Sequence, residues 1–179
     1  MRINYIVLLL VLVGLATSAS AQHYNLAVGP EINLPSGNAS NISTIGFAGA
    51  VKAEIGLTRK FAVTANGSLT TFLGRKYFGT VSSAETAIPI KAGFKYYNSE
   101  NFYFEGQAGT SIPINGQLRN SFVWSAGLGS YLKLNYTENK LDVGLRYEGW
   151  SSKRNITPNN TSFSTFGFIS LRAAYAFNL

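Results

Sequence analysis

From Tyr24 to Leu179, apolar residues recur at every second position in segments of about ten residues, and the links between segments are alternately long and short. A period of two places successive side chains on opposite faces of a β-strand, so each segment has one apolar face and one polar face. Eight strands are expected, near 23–34, 44–57, 61–72, 85–97, 102–113, 121–134, 141–150 and 164–179. The links at 58–60, 98–101 and 135–140 are short. Those at 35–43, 73–84, 114–120 and 151–163 are longer and rich in Asn, Ser, Gly and Thr. This pattern predicts an all-β chain, an eight-stranded antiparallel up-and-down transmembrane β-barrel with short periplasmic turns and longer extracellular loops. An even strand count then leaves both termini in the periplasm.

The phase of each strand assigns its faces. Leu26, Val28, Phe47, Val51, Leu69, Ile90, Phe94, Phe104, Leu128, Leu145, Leu171 and their like share the face expected to meet lipid. Aromatic residues on it gather toward the strand ends, with Tyr24, Phe61, Tyr96, Phe102 and Phe177 on the turn side and Phe122, Trp124 and Tyr147 toward the loops. That is the distribution of two interfacial girdles. The opposite face carries Glu31, Glu54, Glu105, Asp142 and Glu148 with Lys52, Lys91, Lys95, Lys133, Arg146 and Arg172. An eight-stranded barrel is just wide enough for side chains to fill, so these charges are expected to neutralise one another in a plugged lumen. Gly29, Gly93, Gly109, Gly127 and Gly144 make room for them. Pro30 and Pro89 cannot donate to a ladder and predict a bulge or a break in pairing. Phe166 and Phe168 point inward by phase unless a bulge flips the register.

Residues 1–21 read as a secretory signal peptide, with Arg2 ahead of an apolar run from Ile6 to Leu15 and Ala19-Ser20-Ala21 as a cleavage site. Residues 22–179 are then one domain, without a linker or a low-complexity tract. The exported chain has no cysteine, which removes disulfides, thiol chemistry and cysteine metal sites together. The single histidine, His23, sits at the start of the first strand, which disfavours both a metal cluster and a histidine-dependent enzyme. The net charge of +7 is dispersed without a basic run, so nucleic acid is not an expected partner.

A pair such as Glu105 with Lys91 has the residue types of a general acid and base, but in a narrow barrel such charges are more often structural. No nucleophile pairs with a base by spacing, so catalysis, a cofactor and a metal are not expected. Arg75, Lys76, Arg119, Lys153 and Arg154 fall in or beside the long loops, where lipopolysaccharide phosphates or a partner could be met. Tyr77 and Phe78 could extend that patch. Six N-x-S/T sequons, beginning at Asn38, Asn41, Asn66, Asn135, Asn155 and Asn160, reflect an Asn- and Ser-rich composition.

The leader, the eight dyad segments and the last strand, Phe168 to Leu179, resemble the small outer-membrane barrels of the OmpA and OmpX type, and more closely the barrel domains of Bacteroidota-type bacteria. The terminal Tyr175-Ala176-Phe177-Asn178-Leu179 is similar to the signal read by barrel-assembly machinery, although it ends in Leu rather than Phe. The resemblance implies an outer-membrane location, insertion with the help of periplasmic chaperones and that machinery, and contact with outer-membrane lipid and lipopolysaccharide. A monomer serving envelope structure or surface interaction and adhesion is the first functional expectation. A soluble lipocalin-like binding barrel, a lipid-A-modifying enzyme and a small porin are the alternatives.

Overall fold

The computed structural model describes residues 24–77, 80–81, 84–115, 120–134, 139–157 and 160–178. The leader, His23, Arg119, the sequon at Asn135 and Leu179 lie outside them. Eight long strands form one closed antiparallel barrel: β1 (Tyr24–Ser36), β2 (Ser43–Gly56), β3 (Phe61–Gly74), β6 (Glu85–Tyr97), β7 (Phe102–Asn115), β8 (Ser121–Lys133), β9 (Lys140–Thr157) and β10 (Asn160–Asn178). Each pairs with its neighbour in the chain, and β10 returns to β1 from Asn25↔Asn178 up to Ser36↔Gly167. Two elements interrupt the long links. A 3₁₀ helix covers Gly37–Asn41, and a two-residue ribbon pairs β4 (Lys76–Tyr77) with β5 (Thr80–Val81).

Two of the short turns are built alike. The amides of Leu57 and Thr58 donate to the Phe61 carbonyl at 2.8 and 3.0 Å, while Thr58 Oγ1 accepts from Phe61 N at 3.0 Å. At the next turn on the same rim, Asn98 N and Ser99 N donate to the Phe102 carbonyl, and Ser99 Oγ accepts from Phe102 N at 3.2 Å. A hydroxyl that satisfies the turn's own amide closes the hairpin without glycine. Thr58 and Ser99 hold these two turns by the same side-chain bond.

The faces fall as the dyad phase requires. Phe47, Val51, Phe61, Leu69, Ile90, Phe94, Phe104, Phe122, Leu128, Leu145 and Leu171 are exposed on the outer surface, while Glu31, Lys52, Lys91, Lys95 and Asp142 are buried inside. Polar inside and apolar outside is the reverse of what a lipocalin-like barrel needs. The prolines break the ladder without dislocating it. The β1–β10 pairing passes from Val28↔Tyr175 to Glu31↔Arg172 and skips Pro30; the β3–β6 pairing passes from Gly67↔Ile90 to Thr70↔Ala87 and skips Pro89. Phe166 and Phe168 do point inward, in uninterrupted register with Trp150 and Glu148.

Two expectations need correction. The link at 151–163, read as a loop from its Ser, Asn and Lys content, is mostly strand: β9 and β10 continue to Thr157 and Asn160. A strand segment of mostly polar residues has no dyad alternation by which sequence could report it. Lys133 has the inward phase but is exposed, because it ends β8 at the barrel mouth, beyond the packed interior.

Glycine is required where strands cross closely. A Cβ on Gly109, which faces inward, would stand 1.9 Å from the Ile90 carbonyl oxygen on β6, whereas one on the outward Gly106 would meet nothing within 4 Å. Gly109→Ala should therefore destabilise the barrel by about 1–3 kcal/mol, as overpacking does. Gly106→Ala, three residues away on the same strand, should be tolerated. Urea unfolding in detergent compares the two.

Candidate functional site

Among the described residues, the lumen is where the fold gathers chemistry-bearing side chains. Alternate residues of eight strands converge there, and the space is closed at both ends by aromatic rings. At the short-turn end Tyr97, Tyr103 and Tyr131 pack together, with Tyr103 and Tyr131 centroids 5.5 Å apart. At the loop end Phe72, Trp150, Phe166 and Phe168 make edge-on contacts, with centroids 4.9–5.6 Å apart around Phe72, and bury Val123 and Ala87 beneath them.

Between these plugs lie two layers of ions. In the layer near the turns, Lys95 donates to Glu54, which also accepts from the hydroxyls of Tyr97 and of Tyr131, the latter at 3.0 Å. Lys52 sits 2.8 Å from Asp142 and 3.4 Å from Glu105, while Arg172 lies 3.2 Å from Asp142, which also accepts from the Tyr103 hydroxyl. Lys95 Nζ stands 4.0 Å above the Tyr103 ring, so its charge is met by a π face as well as a carboxylate. In the layer near the loops, Arg146 grips Glu31 with both terminal nitrogens at 3.0 and 2.7 Å, and its Nε donates to Glu148 at 3.1 Å. Glu148 also accepts from Lys91, and from the Trp150 indole at 2.7 Å.

All ten residues expected in the lumen network are brought together. These are Glu31, Lys52, Glu54, Lys91, Lys95, Glu105, Asp142, Arg146, Glu148 and Arg172, five acids against five bases. The suggested Glu105–Lys91 pair does not form. Glu105 turns to Lys52 and Lys91 to Glu148, because phase fixes a residue's face while only the register fixes its height. A polar cavity of about 20 Å³ between the layers is lined by Gln107, Ser125 and Arg172 among others, and Arg172 Nε and Gln107 Oε1 find no protein partner there. Such a volume is about that of one water molecule. Sequence reading missed the capping residues Tyr97, Tyr103, Tyr131, Phe72 and Trp150, although their inward phase was visible.

Of the cations expected in or beside the long loops, Arg75 is the one whose side chain falls among the described residues. Arg75 is committed to structure, its Nη1 donating to the Ser40 carbonyl at 2.7 Å and holding the 3₁₀ segment against the end of β3. Lys76 lies on β4 and Lys153 and Arg154 on β9, but their side chains, with those of Tyr77 and Phe78, lie outside the described part. Asn66 is buried in the lumen, so its sequon is inaccessible.

No family model and no curated protein matches the sequence. Solved structures do. OprG of Pseudomonas aeruginosa aligns with a TM-score of 0.61 at 11% identity, over 89% of this chain and 97% of that one. Ail, the attachment invasion locus protein of Yersinia pestis, solved with the heparin analogue sucrose octasulfate, aligns with a TM-score of 0.54 at 16% identity, over 87% and 99%. The backbone structure of Ail in a phospholipid bilayer nanodisc gives 0.51 at 16%, over 88% and 100%. The fold is that of small outer-membrane barrels.

Arg146 serves two carboxylates, and its loss takes the bidentate partner from buried Glu31 while Glu148 keeps Lys91 and Trp150. Arg146→Met should destabilise the barrel by about 3–5 kcal/mol, the cost of breaking a buried pair from one side. Adding Glu31→Gln should recover part of that loss. Equilibrium unfolding of the single and double variants in one detergent measures both.

Proposed function

We propose that this chain is an integral outer-membrane barrel without catalytic activity, a monomer with a sealed lumen, whose work is done by its extracellular loops as surface interaction or adhesion. The observation that carries the reading is the sorting of side chains: a predominantly apolar exterior around an interior of matched ions, with aromatic clusters at both ends. The exterior is suited to hydrocarbon, where a closed barrel is the one sheet that leaves no edge unpaired. Among the described residues the interior is occupied by buried side chains, and its carboxylates are already engaged by lysine, arginine, tyrosine or tryptophan. Delivery by a cleaved leader, periplasmic chaperones and the barrel-assembly machinery belongs to the same reading.

The loop side offers a specific contact surface. Beyond Ser151↔Phe122 the strand β9 has no ladder partner but β10 among the described residues, and beyond Gly167↔Ser36 the same holds for β10 toward β1. The hairpin therefore projects with open strand edges, and it carries Lys153 and Arg154 in sequence. Open edges accept an extended segment by strand addition, and cations favour an anionic partner. The heparin analogue in the Ail structure is such an anion, and it supports this choice of ligand class.

The protein should resist carbonate extraction from outer membranes, shift in mobility on a gel when boiled, and give no steady conductance in planar bilayers. Leu145→Arg, on the exterior at mid-strand, should cost about 2–4 kcal/mol in lipid. Replacing residues 152–165 by a two-residue Asn-Gly turn should leave extraction and heat-modifiability unchanged but abolish adhesion of expressing cells to a sulfated-glycan surface. A stable soluble monomer from the periplasm overturns the membrane reading. Undiminished adhesion without the hairpin overturns the surface role.

A further inference from the structure

The exterior is not uniform. At the short-turn end of β6, β7 and β8 the outer surface is hollowed into an open groove of about 570 Å³, within the range of small-molecule sites. Its walls are Phe61, Phe94, Tyr96 and Phe104, and its floor is the cross-strand pair Gly106↔Ala126. Phe94 is 69% exposed, standing well clear of the sheet, while the missing side chain of Gly106 keeps the floor open. One row farther from the turns, Ala53, Ala65, Ala92 and Ala108 are direct cross-strand partners on four adjacent strands, all exposed. The row beyond them rises again with Val51 and Ile90. The hollow thus runs from the aromatic rim into a shallow trough toward the middle of the apolar band.

The rim below the groove is cationic. Arg59 and Lys60 are exposed on the β2–β3 turn, which leads directly into Phe61, whose ring lies 5.2 Å from that of Tyr96; Tyr97 N donates to the Lys60 carbonyl at 2.8 Å and anchors the turn's backbone to β6. Exposed Lys133 stands at the same end of the barrel, half-buried Lys140 turns its Nζ over the lumen-capping Tyr131 ring at 5.6 Å, and Glu100 is the one acid exposed at this end among the described residues. Two adjacent exposed cations on the turn that enters an aromatic-walled apolar groove match a molecule with an anionic head and a flexible hydrocarbon tail.

On the membrane reading above, we propose that this face holds an anionic glycerophospholipid of the leaflet at the short-turn end. The phosphate rests on Arg59 and Lys60, and one acyl chain lies over Gly106 and Ala126 along the alanine row. Surface cations each contribute to such headgroup binding, and the groove adds an apolar contact for the tail.

Native mass spectrometry of the detergent-solubilised mature barrel, offered equal amounts of phosphatidylglycerol and phosphatidylethanolamine, tests this. The wild type should retain phosphatidylglycerol preferentially. Lys60→Gln should cut that preference about fivefold, the worth of one cation near a membrane surface. Gly106→Leu, which fills the floor, should lower retention of both lipids, while Ala173→Leu on the far side of the exterior should not. Heat-modifiability of each variant reports folding separately. Its loss in the wild type would defeat the membrane reading itself, and its loss in Gly106→Leu alone would leave Lys60→Gln to decide. Equal retention of the two lipids, an unchanged preference in Lys60→Gln, a folded Gly106→Leu that retains both lipids as the wild type does, or stronger retention of lipid A than of phosphatidylglycerol would overturn the proposal. So would a dimer that Gly106→Leu dissociates, since the groove would then seat a second copy.

Discussion

Closure of the sheet on itself is the constraint from which everything else in this molecule follows. A sheet with two open edges leaves two rows of amides and carbonyls unpaired, at several kcal/mol per group where water is absent. The β1–β10 ladder removes both edges at once, and in doing so creates an enclosed interior eight strands around. That interior is too narrow for bulk water and too wide to be left empty. Long charged side chains fill it because they span the gap from several strands and satisfy one another at the centre, and glycine at positions such as 109 lets the strands approach where those chains leave room. The same closure turns every alternate residue outward, so the apolar exterior and the ionic core are two faces of one decision.

Most of this architecture is legible in sequence because a period of two is a geometric fact about extended chain. Strand number, the face of nearly every residue and the membership of the charge network can be read from phase alone. Partnership cannot. Lys91 and Glu105 share a face with Lys52 and Glu148, and only the stagger between neighbouring strands decides which carboxylate each lysine reaches. The long β9–β10 hairpin was invisible for a different reason: its Ser, Asn, Thr, Lys and Arg content carries no apolar alternation to read. Pro30 and Pro89 announced their interruptions correctly, but not that the register would be identical on either side of each gap.

The site is legible to a lesser degree. Loop cations were recognisable as a class, yet Arg75 proves to be a strut for the 3₁₀ segment rather than a free contact, a role visible only once Ser40 is brought beside it. The lumen carboxylates have the residue types of an acid–base pair but are held by cations and phenols on every side. A likeness at 11–16% identity fixes the fold and leaves the loops, where function is proposed to lie, to be judged on their own chemistry.

The distribution of lumen charges along the chain has a consequence for how the barrel forms. The first four barrel strands contribute Glu31, Lys52, Glu54, Lys91 and Lys95, an excess of one positive charge, and the last four contribute Glu105, Asp142, Arg146, Glu148 and Arg172, an excess of one negative charge. Lys52, Lys91 and Glu31 all find partners across that division. A half-formed sheet therefore carries unmatched ions on the face it is about to enclose, and neither half can settle as a neutral unit. Assembly has no comfortable resting point between open and closed, so the ion layers make barrel formation a single cooperative event as well as holding the finished barrel shut.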